Sequence, residues 1–156
     1  MISLKKEEWV AVNGDNGSLI LECSDTPLRH WLLTDNGVEA RLNVNQFDIA
    51  PEILVRDNKL FIGVEQGIFV LDIDARQVIS VIPEVSNVQW IEEGAQKFVA
   101  FAAEDEVIVL DNLGNMLWRK NLPDVIEMTN IVDENILITD MSGEEYEMNL
   151  TDGNKV

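Results

Sequence analysis

The sequence predicts an all-β fold, an array of four short antiparallel units of about four strands each, forming a single domain over residues 1–156. Three observations carry this expectation. Residues 107–122, Val-Ile-Val-Leu-Asp-Asn-Leu-Gly-Asn-Met-Leu-Trp-Arg-Lys-Asn-Leu, read as an antiparallel hairpin whose turn holds Asp, Asn and Gly, the residues that accept the left-handed backbone of tight connections. The same sentence recurs in weaker spelling at Leu33-Thr34-Asp35-Asn36-Gly37, Leu71-Asp72-Ile73-Asp74 and Met148 to Gly153. Its anchors Leu33, Leu71, Leu110 and Met148 stand 38, 39 and 38 residues apart. A near-constant period of about 20 to 50 residues marks a repeat architecture. Finally, the apolar segments are short, rich in Val, Ile and Phe, and bounded by turn residues, as strands require.

Taken in order, the first unit is expected to hold strands at 8–12, 18–23, 28–33 and 38–44, separated by turn-rich loops at 13–17, 24–27 and 35–37. The second unit runs 52–56, 60–64, 68–73 and 77–82. The third runs 88–92, 97–102, 106–111 and 115–122. A helix is a rival over 95–104, where Phe98, Phe101 and Ala102 stand at helical spacing, but 97–102 aligns with strand segments one period away on both sides. The fourth unit runs 126–132, 135–139 and 144–149 and ends in a stub at 154–156. Its missing outer strand could be supplied by the amino terminus, where Ile2-Ser3-Leu4 alternates apolar and polar, closing a ring and removing a sheet edge.

Leu110 to Trp118 resembles the repeat of quinoprotein-type β-propellers, in which a Leu-Asp turn and a Gly lead to a Trp-bearing strand. Leu60 to Asp72 resembles the preceding strand pair of that family and of WD40-like repeats. The likeness covers roughly 60 residues, the remainder following by periodicity. It implies a small β-propeller-like array and is nearly silent on function, because propellers host unrelated activities. Where Trp118 stands, the second unit has Ser80 and the first has Arg41, so the repeated Trp docking of large propellers is missing. An open, curved antiparallel meander or a β-sandwich remains as an alternative for the same strands.

Charge narrows the function. The chain has 29 Asp and Glu against 11 Lys and Arg, a formal charge of −18. Such a surface repels phosphate backbones and anionic lipid heads, so neither nucleic acid nor membrane is expected as a direct partner. Cys23 is the single cysteine and cannot form an internal disulfide. The first residues lack the apolar core of a signal peptide, and no apolar run approaches the roughly 18 residues of a membrane span. A cytoplasmic location is expected.

Candidate chemistry is sparse. His30 is the single histidine, which removes histidine pairs and histidine metal triads; with Cys23 it could form a thiol–base pair, though Cys reads better as a small buried hydrophobe. The acidic pairs Glu92-Glu93, Asp133-Glu134 and Glu144-Glu145 and the triplet Glu104-Asp105-Glu106 read as solvated turns rather than tuned acid and base. Asp72-Ile73-Asp74 and residues 13–17 lack the ligand count of a calcium loop, and no phosphate-cradling Gly-rich loop or Gly-x-Ser-x-Gly elbow occurs. No catalytic residue, metal or cofactor is assigned, and the chain is expected not to be an enzyme.

The surface says more. In four-strand units the turns between second and third strands, and the connections between units, emerge at one end. That end would carry Asp25, Glu65, Glu104, Asp105, Glu106, Glu144 and Glu145 as the partner-binding set, supported by Asp48, Glu84 and Asp124. The other end would carry Asp15, Asp57, Glu92, Glu93, Asp133 and Glu134. Residues 121–156 hold nine acids and one base, Lys155. In size, charge and want of chemistry the chain resembles bacterial immunity proteins. That resemblance implies a small binding protein that occludes a basic partner such as a nuclease toxin. A propeller-like scaffold or small-ligand module is the alternative.

Overall fold

The structure, a computed structural model, describes residues 50–65, 67–94 and 97–156 in full, and residues 3–8, 19–22, 29–35 and 38–44 as backbone strands. Among the described residues fifteen strands make four small sheets. The second sheet holds β5 (Glu52–Arg56), β6 (Lys59–Val64), β7 (Gly67–Asp72) and β8 (Gln77–Pro83). The third holds β9 (Trp90–Glu93), β10 (Phe98–Ala102), β11 (Glu106–Asp111) and β12 (Met116–Asn121). The fourth holds β13 (Ile126–Val132), β14 (Asn135–Asp140) and β15 (Glu145–Asn149), with Lys155 bridging Met148 in place of a full outer strand. All three are antiparallel meanders in chain order. Among the described residues there is no helix, so residues 98–102 are strand, and none long and apolar enough to cross a membrane.

The first sheet departs from the expected meander. Its strands β1 (Ser3–Glu8), β2 (Leu19–Glu22), β3 (Arg29–Asp35) and β4 (Val38–Val44) lie in the order β1-β3-β4-β2, with β2 parallel to β4. The first described strand falls at 3–8, and residues 9–12 of the strand expected at 8–12 lie outside the described residues. Backbone satisfaction explains the choice: β3 has seven residues, and the six of β1 pair along it from Ser3↔Thr34 to Glu8↔Arg29, whereas the four of β2 would leave part of that edge unpaired. This use of Ser3 and Leu4 also corrects the expected ring closure. Among the described residues no strand of the first sheet pairs with one of the fourth, and the array is open.

Packing joins the second, third and fourth sheets. On the third sheet Val99, Phe101, Ala103, Ile108 and Leu110 meet Phe61, Ile68, Val70, Ile82, Val85 and Val88 from the second sheet and its exit. The alternate residues Ala100, Ala102, Val107 and Val109 meet Ile126, Ile136, Ile138, Met148 and Leu150 from the fourth. With both faces covered, β10 and β11 read as continuous apolar runs instead of alternating ones. Phe61 and Phe101 are fully buried, each contributing about 2 to 3 kcal/mol of apolar transfer energy. The first strands lie side by side, β9 between β5 and β13, so the sheets radiate outward from a shared centre and β8 and β12 form the outer edges.

The Leu-Asp rhythm has a structural cause. Asp72 and Asp111 each close the third strand of a sheet and hold the following turn with a side-chain oxygen, accepting from Ala75 N at 2.8 Å and from Leu113 N and Asn115 N at 2.8 Å. Asn149 repeats the arrangement by accepting from Thr151 N at 2.8 Å. Burial opposes ionisation of Asp111, but hydrogen bonds from Asn115, Leu113 and Gly114 outweigh it and hold the carboxyl below its ordinary value. After each turn the outer strand slips by one residue, between Val70 and Leu71 opposite β8 and between Val109 and Leu110 opposite β12. Beyond the slip Ser80 faces Val70 and Trp118 faces Val109, and in the first sheet, where β3 and β4 pair without a slip, Arg41 faces Leu32, the register that the repeat alignment requires.

Candidate functional site, an acidic end of the array

The turns between second and third strands and the connections between sheets do emerge together, tied by main-chain hydrogen bonds. Glu104 O accepts from Ile126 N at 2.6 Å and Asp105 O from Leu122 N at 2.7 Å, joining the β10–β11 turn to the exit of the third sheet. Val125 O accepts from Met141 N at 2.8 Å, joining that exit to the β14–β15 turn. On the other side Glu104 N donates to Ser86 Oγ at 3.2 Å, bringing in the connection from the second sheet. The result is a continuous backbone rim that carries Glu84, Glu104, Asp105, Asp124 and Glu144, all exposed.

Glu106 is a correction. It is 2% exposed and turned inward. Its Oε2 lies 2.6 Å from Arg119 Nε, and its Oε1 accepts from Arg119 Nη2 at 3.1 Å and Ser86 N at 3.1 Å. Arg119 donates onward to the carbonyls of Pro83 and Glu84, so the pair clamps β11 and β12 to the connection from the second sheet. The reason is strand alternation: Glu106 shares the side of Ile108 and Leu110, which faces the second sheet. Glu104 and Asp105, in the turn before, point to solvent. Glu65 sits half-buried in the β6–β7 turn, and Glu145 opens β15 in register with Thr139, exposed beside the rim. Asp25, Asp48 and Cys23 lie outside the described residues.

Asp140, not singled out by sequence, organises the last part of the rim. It is 1% exposed at the end of β14. One oxygen accepts from Ser142 Oγ at 2.6 Å and from Ser142 N and Glu144 N at 3.0 Å, and the other from the Tyr146 hydroxyl at 2.9 Å. The Ser142 hydroxyl, with Tyr146 and the two amides, holds its carboxyl below the usual aspartate value against the opposing effect of burial. Tyr146 moves the other way. Its phenol is raised by the hydrogen bond to Asp140, then by burial, then by the negative charges of Asp140, Glu144 and Asp124. The signal for Asp140 was available as Asp-x-Ser-Gly, with Gly143 at φ 85° supplying the left-handed turn.

A lowered folded-state value for Asp140 fixes the sign of its pH dependence. The stability it confers is present above the ordinary aspartate value of about 3.9 and disappears as the pH falls through the lowered one. Asp140→Asn is therefore expected to lower the urea midpoint at pH 7, with the gap from wild type closing as both are titrated into strong acid. An unchanged gap at every pH would show that the carboxylate charge is not what holds the turn.

The two ends of the array use their acids differently. Among the described residues the ion pairs are Arg119–Glu106, Arg56–Glu93 at 3.5 Å and Arg56–Asp57 at 4.0 Å. At the end opposite the rim, Arg56 also donates to the carbonyls of Gly94 and Phe98, and Glu92 accepts from the Thr129 hydroxyl, so Glu92 and Glu93 stitch neighbouring sheets there. On the rim, by contrast, no described cation pairs with Glu84, Glu104, Asp105, Asp124, Glu144 or Glu145.

No family model and no curated protein matches the chain in sequence. Solved structures match its shape. The WD40 repeats of RRP9 align with a TM-score of 0.56 at 12% identity, over 72% of this chain and 39% of that one. BamB from Moraxella catarrhalis aligns with a TM-score of 0.58 at 19% identity, over 82% and 41%. The computationally designed Ika4 protein aligns with a TM-score of 0.58 at 16% identity, over 72% and 74%. The chain thus covers well under half of the WD40 and BamB chains. What it shares with all three is the fold, a β-propeller-like array of small radiating sheets.

Proposed function

We propose that the protein is a non-enzymatic binding protein whose acidic rim captures a basic partner, and that it acts as an immunity-type inhibitor, covering the face with which a nuclease toxin would hold nucleic acid. The reading is supported chiefly by the contrast between the ends. At the far end Glu92 and Glu93 are spent on holding sheets together, whereas on the rim hydrogen bonds hold the backbone that carries Glu84, Glu104, Asp105, Asp124 and Glu144, whose carboxylates have no counter-charge among the described residues. Carboxylates pre-positioned in this way mimic an array of phosphates and lose little freedom on binding. A uniformly negative rim would also steer a basic partner, lifting association toward about 10⁸ to 10⁹ M⁻¹s⁻¹ at low salt.

The test is affinity for a nuclease encoded beside this chain, measured at low and high salt. Glu104→Lys with Asp105→Lys is expected to weaken binding by about 100-fold and flatten the salt dependence. Binding indifferent to both salt and charge reversal would reject the reading and favour a scaffold. That second role has its own support in the exposed apolar residues of the outer strands, Val78, Ile79 and Val81 on β8 and Met116 and Leu117 on β12.

A further inference from the structure

Among the described residues the fourth sheet is covered on one face only, the face that Ile136, Ile138 and Met148 turn to the third sheet. On the other face Met128 and Leu137 are 59% and 38% exposed. Register places Met128, Thr139 and Glu145 in one cross-strand row and Asn130, Leu137 and Glu147 in the next. An open groove of about 380 Å³ runs over these rows to Lys155 and Val156. Each row therefore offers an apolar side chain and ends at β15 in a carboxylate. Neither Glu145 nor Glu147 has an ion pair among the described residues. Glu147 is held by one oxygen, which accepts from Asn135 Nδ2 at 2.8 Å. Among the described lining residues the one cation, Lys155, pairs with Met148 and holds its ammonium 5.9 Å from the Tyr146 ring. Met148 and Tyr146 alternate with Glu145 and Glu147 along β15, so Lys155 serves the opposite side of that strand.

We propose that this face docks an extended basic segment of a partner protein, with Lys or Arg at alternate positions. Charge and shape both support that occupant. A Lys or Arg side chain is an apolar stem with a cationic head. It can lay the stem over Leu137, or over Thr139 and Met128, while the head meets Glu147 or Glu145. Spacing fits as well. Glu145 and Glu147 stand two residues apart on one strand, about 6.8 Å, which is also the distance between like-facing side chains of an extended segment laid alongside. Two cations on one side of such a segment therefore reach both carboxylates at once. The segment belongs to the basic partner that the rim captures, and in that respect the proposal rests on the reading above. Glu145 makes the two surfaces continuous, because it lies beside the rim and also ends the first row. A contact of this type weakens with salt.

The probe is a blocked peptide, Ser-Thr-Lys-Thr-Lys-Thr-Ser, titrated into the full chain at low salt and followed by backbone amide chemical shifts. It should move the amides of Met128, Leu137, Glu145 and Glu147. It should also bind about 10-fold more tightly than Ser-Thr-Thr-Lys-Lys-Thr-Ser, which has the same composition but turns its two lysines to opposite sides. Glu145→Gln with Glu147→Gln should cancel that preference. Both residues are exposed, and circular dichroism checks that the fold persists. Leu137→Ser should weaken the alternating peptide by about 3-fold, whereas Leu137→Met, which keeps an apolar surface for the stem, should not. Equal affinity for the two peptides, shifts confined to the rim turns, or a preference that survives the double Gln variant would each overturn the proposal. So would spermidine binding at the same residues as tightly as the alternating peptide, which would make the face a polyamine site. The peptide contains no nuclease, so these outcomes are read whether or not the rim captures one. Capture at the rim fails separately, through a nuclease indifferent to reversal of Glu104 and Asp105.

Discussion

Arg119→Ala is expected to destabilise the fold by about 3 to 5 kcal/mol, read as a lowered midpoint in urea denaturation. The Glu106 carboxylate, 2% exposed, keeps only the Ser86 amide when the guanidinium is removed and is left as a buried charge without its counter-ion. The same change frees the carbonyls of Pro83 and Glu84, which Arg119 holds against the outer strand of the third sheet. The size of the effect arises from the orphaned carboxylate more than from the pair's own attraction, and a second variant isolates that cause. Replacing both residues with apolar ones of similar volume, Glu106→Leu with Arg119→Met, should be markedly milder than Arg119→Ala alone. If the double replacement is as damaging as the single, the clamp contributes by bridging the sheets and not by neutralising Glu106.

Trp118→Ala is the second large effect, expected at about 3 kcal/mol because the indole is half-buried and fills space between two sheets. Its Nε1 donates to Leu150 O at 2.9 Å, reaching from β12 into the last turn of the chain. The ring lies against Gly153, where an added Cβ would stand 2.8 Å from Trp118 Cδ2. Gly153 also sits at φ 70°, so Gly153→Ala combines a clash with backbone strain and is expected to cost about 1 to 3 kcal/mol. One period earlier the partners differ: Ser80 occupies the tryptophan's place, and Gly114 rests on Val70, with a built Cβ 3.0 Å from Val70 Cγ1. Equal stability losses for Trp118→Ala and Ser80→Ala would contradict this account of the joint.

The residues show which parts of the fold could be read in advance. Strands β5, β11 and β13 begin and end where short apolar segments and turn residues place them, since short antiparallel meanders are governed by neighbours in sequence. The first sheet escaped because a parallel pairing of β2 with β4 is a non-local choice that no turn signal announces. In the site, Glu104, Asp105 and Glu106 look alike in the sequence, and only strand phase separates them. Counting back by twos from Leu110 and Ile108 reaches Glu106, and Arg119 stands opposite Ile108, so a signal for the buried pair existed. The Trp118 joint was foreshadowed by the Gly-to-Trp spacing at Gly114 and Trp118, but its partner, Gly153, is visible only when one sheet is laid on the next.

The slipped residues on the two outer strands have a consequence for how the protein behaves in concentrated solution. Val78, Val81 and Met116 make β8 and β12 greasy, and their outer edges are open to a foreign strand. A flat edge of that composition would template sheet growth from molecule to molecule. The one-residue offset bends each outer strand and sharpens its twist, so an approaching edge can align over only a short stretch. The irregularity shared by the second and third sheets thus works as a guard on solubility.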